Sequence, residues 1–290
     1  MTAPRRPSLP NQTQTPNDFG GLAEGTRQPG KGGAAGSHRA HQPISPLPPR
    51  SASHQSAESC LLRALRAKNS EEKELFAHRG LSQTGSDLEM KALLLRQLYL
   101  VHLDRSEYAQ ALALAEEIID TGELGDIARQ DAARAALGLG QADVAAEHLR
   151  IAAAICPVDR RAFHWGTLGA LLRFEGRPTE AVEAFGRASR CATKDAPLYR
   201  AQLVLAEREA RVQPSSDLQT LRQNLESAES GRGYKLWVLG EICALIGDRE
   251  ASRKYLTHFL SRTSNASPAK SLALRGEIAW AQTLLQRLSA

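Results

Sequence analysis

Four cysteines are all that this sequence of 290 residues contains, and Cys60, Cys156, Cys191 and Cys243 stand far apart, with no C-x-x-C pair and no histidine at zinc-ligand spacing. They read as scattered buried thiols in a reducing cytoplasm, not as a disulfide framework or a metal site. Long apolar runs are missing too. Arg, Glu or Asp interrupts each one well before the roughly 20 residues a membrane helix needs, so no span is expected. Arg5 and Arg6 lead into Pro7, Ser8, Pro10, Asn11 and Gln12 where a secretory signal would place its apolar core, so export is not expected either. An excess of one charge is absent from most of the chain. Of 37 basic and 32 acidic residues the first 55 positions hold six and two, so the remainder carries 31 against 30. A near-neutral body lacks the basic stripe that phosphate neutralisation requires, which disfavours nucleic-acid binding by the folded part.

What is present divides at about residue 55. Residues 1–55 are rich in Pro, Gly, Ser, Gln and Thr, with Phe19 the one aromatic, so they cannot bury enough surface to offset ordering entropy. They are expected to form a disordered basic arm. Within it Pro43 to Arg50 favours polyproline II, as a stiff spacer or as a ligand for an aromatic groove. From Ser56 onward Ala, Leu, Arg and Glu dominate, β-branched runs are almost absent, and Gly and Pro fall in short breaks. This predicts an all-α region over 56–290, built of short helices in pairs.

The pairs repeat. One unit reads Trp165-x-x-Leu168-Gly169-x-x-Leu172, then Gly176, then Ala181-x-x-x-Phe185-x-x-Ala188. Sliding back 36 residues gives Gly140, Ala145-x-x-x-Leu149-x-x-Ala152 and Pro157. A further 34 back lie Leu95, Leu98-Tyr99 and His102, then Tyr108-x-x-Ala111-x-x-x-Ala115-x-x-Ile118. Forward by 71 residues come Leu236-x-x-Leu239-Gly240-x-x-Cys243 and Gly247-Asp248. These motifs resemble the tetratricopeptide repeat, and the resemblance implies a solenoid of antiparallel helix hairpins. The clearest repeats are expected at about 92–125, 126–161, 162–196 and 233–266, with a degenerate unit over 197–232 and one C-terminal capping helix over 268–288 that Ser267 caps. Two departures stand out: Tyr99 occupies a place where the family prefers Gly, and Arg129, Ala132, Ala133 and Ala136 stand where large residues are expected.

Reactive constellations are hard to find. His78, His102, His148, His164 and His258 each lack a second ligand at i+3 or i+4, and no glycine-rich loop follows a strand. No catalytic residue, cofactor or metal is therefore expected, and the chain reads as a non-enzyme. The resemblance implies instead that the first helices of successive repeats line a concave groove for a protein or peptide segment. Carried over position by position, the groove residues are Arg96, Gln130, Arg134, Phe163, Arg173, Phe174, Tyr234, Trp237 and Glu241, flanked by Leu93, Leu100 and Ile127. Arginines and aromatics dominate many interfaces, so an acidic and apolar segment is the expected partner. A core role is the alternative for Leu93, Leu100, Phe163 and Phe174. The carboxylate clamp of some chaperone-binding members, with Lys, Asn, Asn, Lys and Arg, is absent: the matching places hold Arg96, Leu100, Asp131, Phe163 and Thr167. The expected function is a cytoplasmic adaptor or scaffold, with a nucleic-acid-associated regulator acting through the basic arm as the alternative; self-association through an open solenoid end also fits.

Overall fold

The computed structural model describes residues 56–229 and 233–289; the basic arm expected over 1–55 lies outside the described residues. A leading hairpin, α1 (Ala57–Arg66) and α2 (Ser70–Leu81), precedes five more. These are α3 (Leu88–Asp104) with α4 (Tyr108–Asp120), α5 (Gly125–Gly138) with α6 (Ala142–Ile155), α7 (Val158–Phe174) with α8 (Pro178–Cys191), α9 (Ala196–Glu209) with α10 (Leu218–Ser227), and α11 (Tyr234–Leu245) with α12 (Arg249–Thr263). The chain closes with the six-residue α13 (Pro268–Ala273) and α14 (Arg275–Ser289).

The repeat is written in the backbone as well as in the side chains. Ser106, Gly140, Gly176, Arg211 and Gly247 all have positive φ, between 57° and 85°, and follow one another at intervals of 34, 36, 35 and 36 residues. Each ends the first helix of a hairpin. The next residue in each case, Glu107, Gln141, Arg177, Val212 or Asp248, donates its N–H to the carbonyl five residues earlier at 2.8 to 3.0 Å. This is the Schellman cap, which closes the orphan carbonyls of a helix end by passing through one left-handed residue. Glycine takes that conformation without the penalty other residues meet, and Ser106 and Arg211 adopt it regardless. The weakly patterned segment 197–232 thus carries a hairpin turn of the same geometry, marked by an arginine where its neighbours have glycine.

Packing within hairpins follows residue size. A Cβ on Gly169 would lie 2.8 Å from the Phe185 ring, so α7 and α8 touch where glycine permits it. Tyr99 solves the same contact differently. It is fully buried, and its hydroxyl donates to the carbonyl of Asp131 at 2.9 Å, so the large side chain bridges to α5. The alanines of α5 are small because the helix is enclosed: Ala128, Ala132, Ala133, Ala135 and Ala136 are all buried. Fully burying such a face contributes through many small areas, at about 25 cal/mol per Å².

The C-terminal cap differs from expectation. Ser267 does accept the N–H of Lys270, but the helix over 268–288 is interrupted at buried Leu274, which leaves helical geometry at φ −107° and ψ 14°. A straight rod could not meet both of its neighbours. The break lets Ala269 and Leu272 pack against the cluster around Tyr99, Leu103 and Ala132, while Ala281 and Leu288 join the core of α11 and α12. Thr263 ends α12 and Pro268 starts α13. Residues 264–267 span at most about 3.6 Å each, so this short link carries the chain from the end of α12 back to α13, which packs on α3 and α5.

Candidate functional site

The inner side of the curved array is formed by α3, α5, α7, α9 and α11, the first helices of the five hairpins. The tightness of the curve shows in contacts that skip a hairpin. Arg173 of α7 reaches Glu241 of α11, 68 residues on, and the rings of Phe174 and Trp237 meet edge to face with centroids 5.8 Å apart.

Charged groups on this side pair across repeats at about one repeat length. Asp131 on α5 accepts from Arg96 Nε on α3 at 2.7 Å and from Arg134 Nη1 at 3.1 Å. Asp126, at the start of α5, accepts from Arg160 Nη2 at 2.9 Å and meets His164 Nε2 at 2.8 Å. Arg173 donates through Nε and Nη2 to Glu209 at 2.8 and 2.5 Å, and through Nη1 to Glu241 at 3.0 Å. Its guanidinium also stands 5.3 Å from the ring centre of Trp237. The electrostatic consequences are consistent: Asp131 is the largest influence raising the pKa of Arg96, and Glu241 and Glu209 outweigh burial in raising that of Arg173. On the outer side Arg150 pairs with Glu180 at 3.1 Å and Arg177 with Asp143 at 2.7 Å. Those pairs stand in solvent, where water and salt screen them, so the buried inner clusters matter more to register.

The nine residues expected to line the groove therefore divide. Arg96, Gln130, Arg134, Phe163, Phe174 and Tyr234 are half-buried on the inner helices. Arg173, Trp237 and Glu241 are buried, with 7%, 1% and 5% of their surface exposed, and they hold hairpins together where a partner contact was expected. The reason is neutralisation: Arg96 and Arg173 meet carboxylates supplied by other repeats, and Arg134 meets Asp131 on its own helix. Asp126, Asp131 and Glu209 complete these clusters, and the signal for two of the three pairs is a carboxylate 35 or 36 residues after an arginine.

A further set of residues comes from the C-terminus, outside the repeats. Residues 269–277 lie along the inner helices. Ala269 and Leu272 pack beside Leu100, Leu103, Ala132 and Ala135. Arg275 Nη1 donates to the carbonyl of Leu137, at the end of α5, at 2.6 Å, and its Nη2 stands 3.6 Å from Glu175 just past α7. Gly276 rests on the Phe174 ring so closely that a Cβ would come within 2.5 Å. Glu277 is buried and accepts from the Tyr234 hydroxyl at 2.7 Å. Burial pushes the Glu277 carboxyl up to about 7, against the opposing pull of the Tyr234 hydroxyl and of Arg173.

No protein-family model and no curated protein matches the chain. Solved structures do. The structure reported for the functional characterization of Pseudomonas aeruginosa pilF is 13% identical with a TM-score of 0.53, and the match covers 76% of this chain and 97% of that one. A TPR repeats protein from Bacteroides fragilis is also 13% identical, with a TM-score of 0.37 over 78% of this chain and 99% of that one. A structure of Naa15/Naa10 bound to HypK-THB is 12% identical, with a TM-score of 0.30 over 76% of this chain and 39% of that one. Among the described residues no helix is long and apolar enough to cross a membrane. Likeness in fold to the pilF structure, the hairpin turns recurring every 34 to 36 residues and the Trp165 to Ala188 motif together show that this chain has the tetratricopeptide-type solenoid fold.

Proposed function

We propose that this protein is a non-catalytic adaptor of the cytoplasm that holds a segment of another protein against the inner helices of its solenoid. One observation carries the reading: a segment of chain, the protein's own residues 269–277, already lies along that surface and touches α3, α5, α7 and α11 through apolar, charged and hydrogen-bonded contacts. The ionisable groups nearby support a structural role, because Asp126, Asp131, Glu209 and Glu241 are engaged in joining hairpins. Burial raises the pKa of the Cys156 and Cys243 thiols, which keeps them protonated and poor nucleophiles.

The partner is better described as apolar than as acidic. Arg96, Arg134 and Arg173, which were expected to attract an acidic segment, already face carboxylates. Toward the N-terminal end of the same side, Leu93, Ile127, Gln130 and Phe163 are half-exposed and carry no charge. Affinity capture from native lysate with the wild type and with an Ile127→Asp/Phe163→Ala variant tests this. The partner identified with the wild type is expected to bind the variant at least tenfold more weakly in direct titration. A correctly folded variant that retains every partner at wild-type affinity contradicts the reading.

A further inference from the structure

The surface on which residues 269–277 rest distinguishes residue types along its length. An apolar recess takes Ala269 and Leu272, which share a face of α13 at a spacing of three. The C-terminal ends of α5 and α7, where the helix dipole favours a cation, take Arg275 through the Leu137 carbonyl, which also accepts the Gly140 N–H, and through Glu175. The ring of Phe174 leaves room for glycine alone at 276. The Tyr234 hydroxyl meets the acid at 277.

The segment is selectively held, with Leu274 and Glu277 buried and the rest of it only partly covered. No residue of α13 is fully buried, Arg275 keeps 43% of its side chain exposed, and six residues are far too few for a helix to persist by itself. By contrast α14 has its own anchorage, since Ala281 and Leu288 sit in the core with α11 and α12. Residues 268–277 can therefore leave, at the cost of exposing Leu274 and Glu277, while the hairpins and most of α14 stay in place.

Building on the adaptor reading, we propose that this surface is a binding site for a short helical segment of a partner protein bearing the same order of groups, a small residue, leucine, arginine, glycine and an acid, and that residues 268–277 are its intramolecular competitor. The competitor is tethered at both ends, so it acts at an effective concentration on the order of millimolar and excludes a weak segment supplied from outside. Apparent affinity for the partner falls by the fraction of time the site is closed. Anything that unseats α13 opens the site without altering it.

A fluorescein-labelled peptide of residues 266–279, titrated into the full chain, provides the test. Arg275→Glu sets a carboxylate beside Glu175 and the Leu137 carbonyl, and Gly276→Val drives a branched side chain into Phe174; each unseats the tethered segment by a different route, and either serves if the other fails to fold. Both variants, at wild-type helicity by circular dichroism, are expected to bind the peptide at least tenfold more tightly than the wild type does. The same peptide carrying Gly276→Val is expected to bind none of them. Peptide binding to neither variant, or equal binding to wild type and variants, overturns the proposal. Concentration-dependent dimers of the variants with no peptide bound would assign the site to a second copy and overturn it as well. The Ile127→Asp/Phe163→Ala capture is scored separately. Partner loss there with no peptide binding here sinks this proposal and leaves the adaptor reading intact.

Discussion

Arg173 and Glu241 are separated by 68 residues and one whole hairpin, yet they form a buried ion pair that fixes α7 against α11. Removing one partner of a buried pair strands the other, at a cost of about 3 to 5 kcal/mol; Glu209 still faces Arg173, which places Glu241→Ala near the lower end of that range. Replacing both with apolar residues of similar volume, as Arg173→Met with Glu241→Leu, is expected to return stability to within about 1.5 kcal/mol of wild type. Urea unfolding of the three proteins measures both values. A double variant as unstable as Glu241→Ala would show that the pair does more than neutralise itself.

The left-handed turns make an opposite pair of predictions. Arg211 carries the φ of 57° that glycine adopts more readily, so Arg211→Gly is expected to stabilise the protein by about 0.5 to 1 kcal/mol. Gly176→Ala, at φ 70°, is expected to destabilise it by about 1 kcal/mol. Denaturation midpoints moving the same way for both would disconnect the turn geometry from stability.

These turns also show how much of the molecule was readable. Gly169, Ala181 and Phe185 announce a close helix pair because small and large residues must alternate at a fixed spacing, and that constraint is local. The period then carried the hairpin pattern across 197–232, where side chains had lost most of it. The pairing of Arg96 with Asp131 and of Arg173 with Glu209 was not legible in this way, since an arginine on a first helix looks the same whether it faces solvent or a carboxylate one repeat away. The placement of Ala269 and Leu272 was hidden for a related reason. Their spacing specifies an apolar helical face, but the surface covering that face depends on the curvature of the whole array, to which every hairpin contributes.

Acid titration of Glu277 offers a pH-dependent signature. Its carboxyl, normally near 4.5, is raised to about 7 in the folded protein, where Tyr234 of α11, Gln202 of α9 and Arg173 of α7 are gathered. The folded form thus binds this proton more tightly than the unfolded form does. The stability contributed by the neutral group is full below about 4.5 and is lost as pH rises to about 7. The stability of wild type relative to Glu277→Gln is expected to fall across that window and to level off above it. Paired urea titrations between those pH values check the sign; a difference that rises with pH contradicts the burial of this carboxyl.

Contact between Gly276 and Phe174 gives a steric counterpart. Gly276→Ala is expected to cost about 1 to 3 kcal/mol in the seating of residues 268–277, because a Cβ 2.5 Å from the ring must displace either the segment or the ring. Combining it with Phe174→Leu, which trims the ring, is expected to recover at least half of the loss. Peptide affinity in the two backgrounds reads the difference.

Hydrogen exchange of the full chain, with and without a saturating amount of the 266–279 peptide, bears most directly on the claim that the inner helices receive a protein segment and that the chain's own C-terminal turn holds the place. The amides of Ser271, Leu274 and Ile278, which are hydrogen-bonded here, are expected to be protected in the free protein and to lose protection when the peptide binds, while α7 and α11 keep theirs. Amides of 271–278 that exchange without protection in the free chain, or whose protection is unchanged at saturating peptide, would contradict the account.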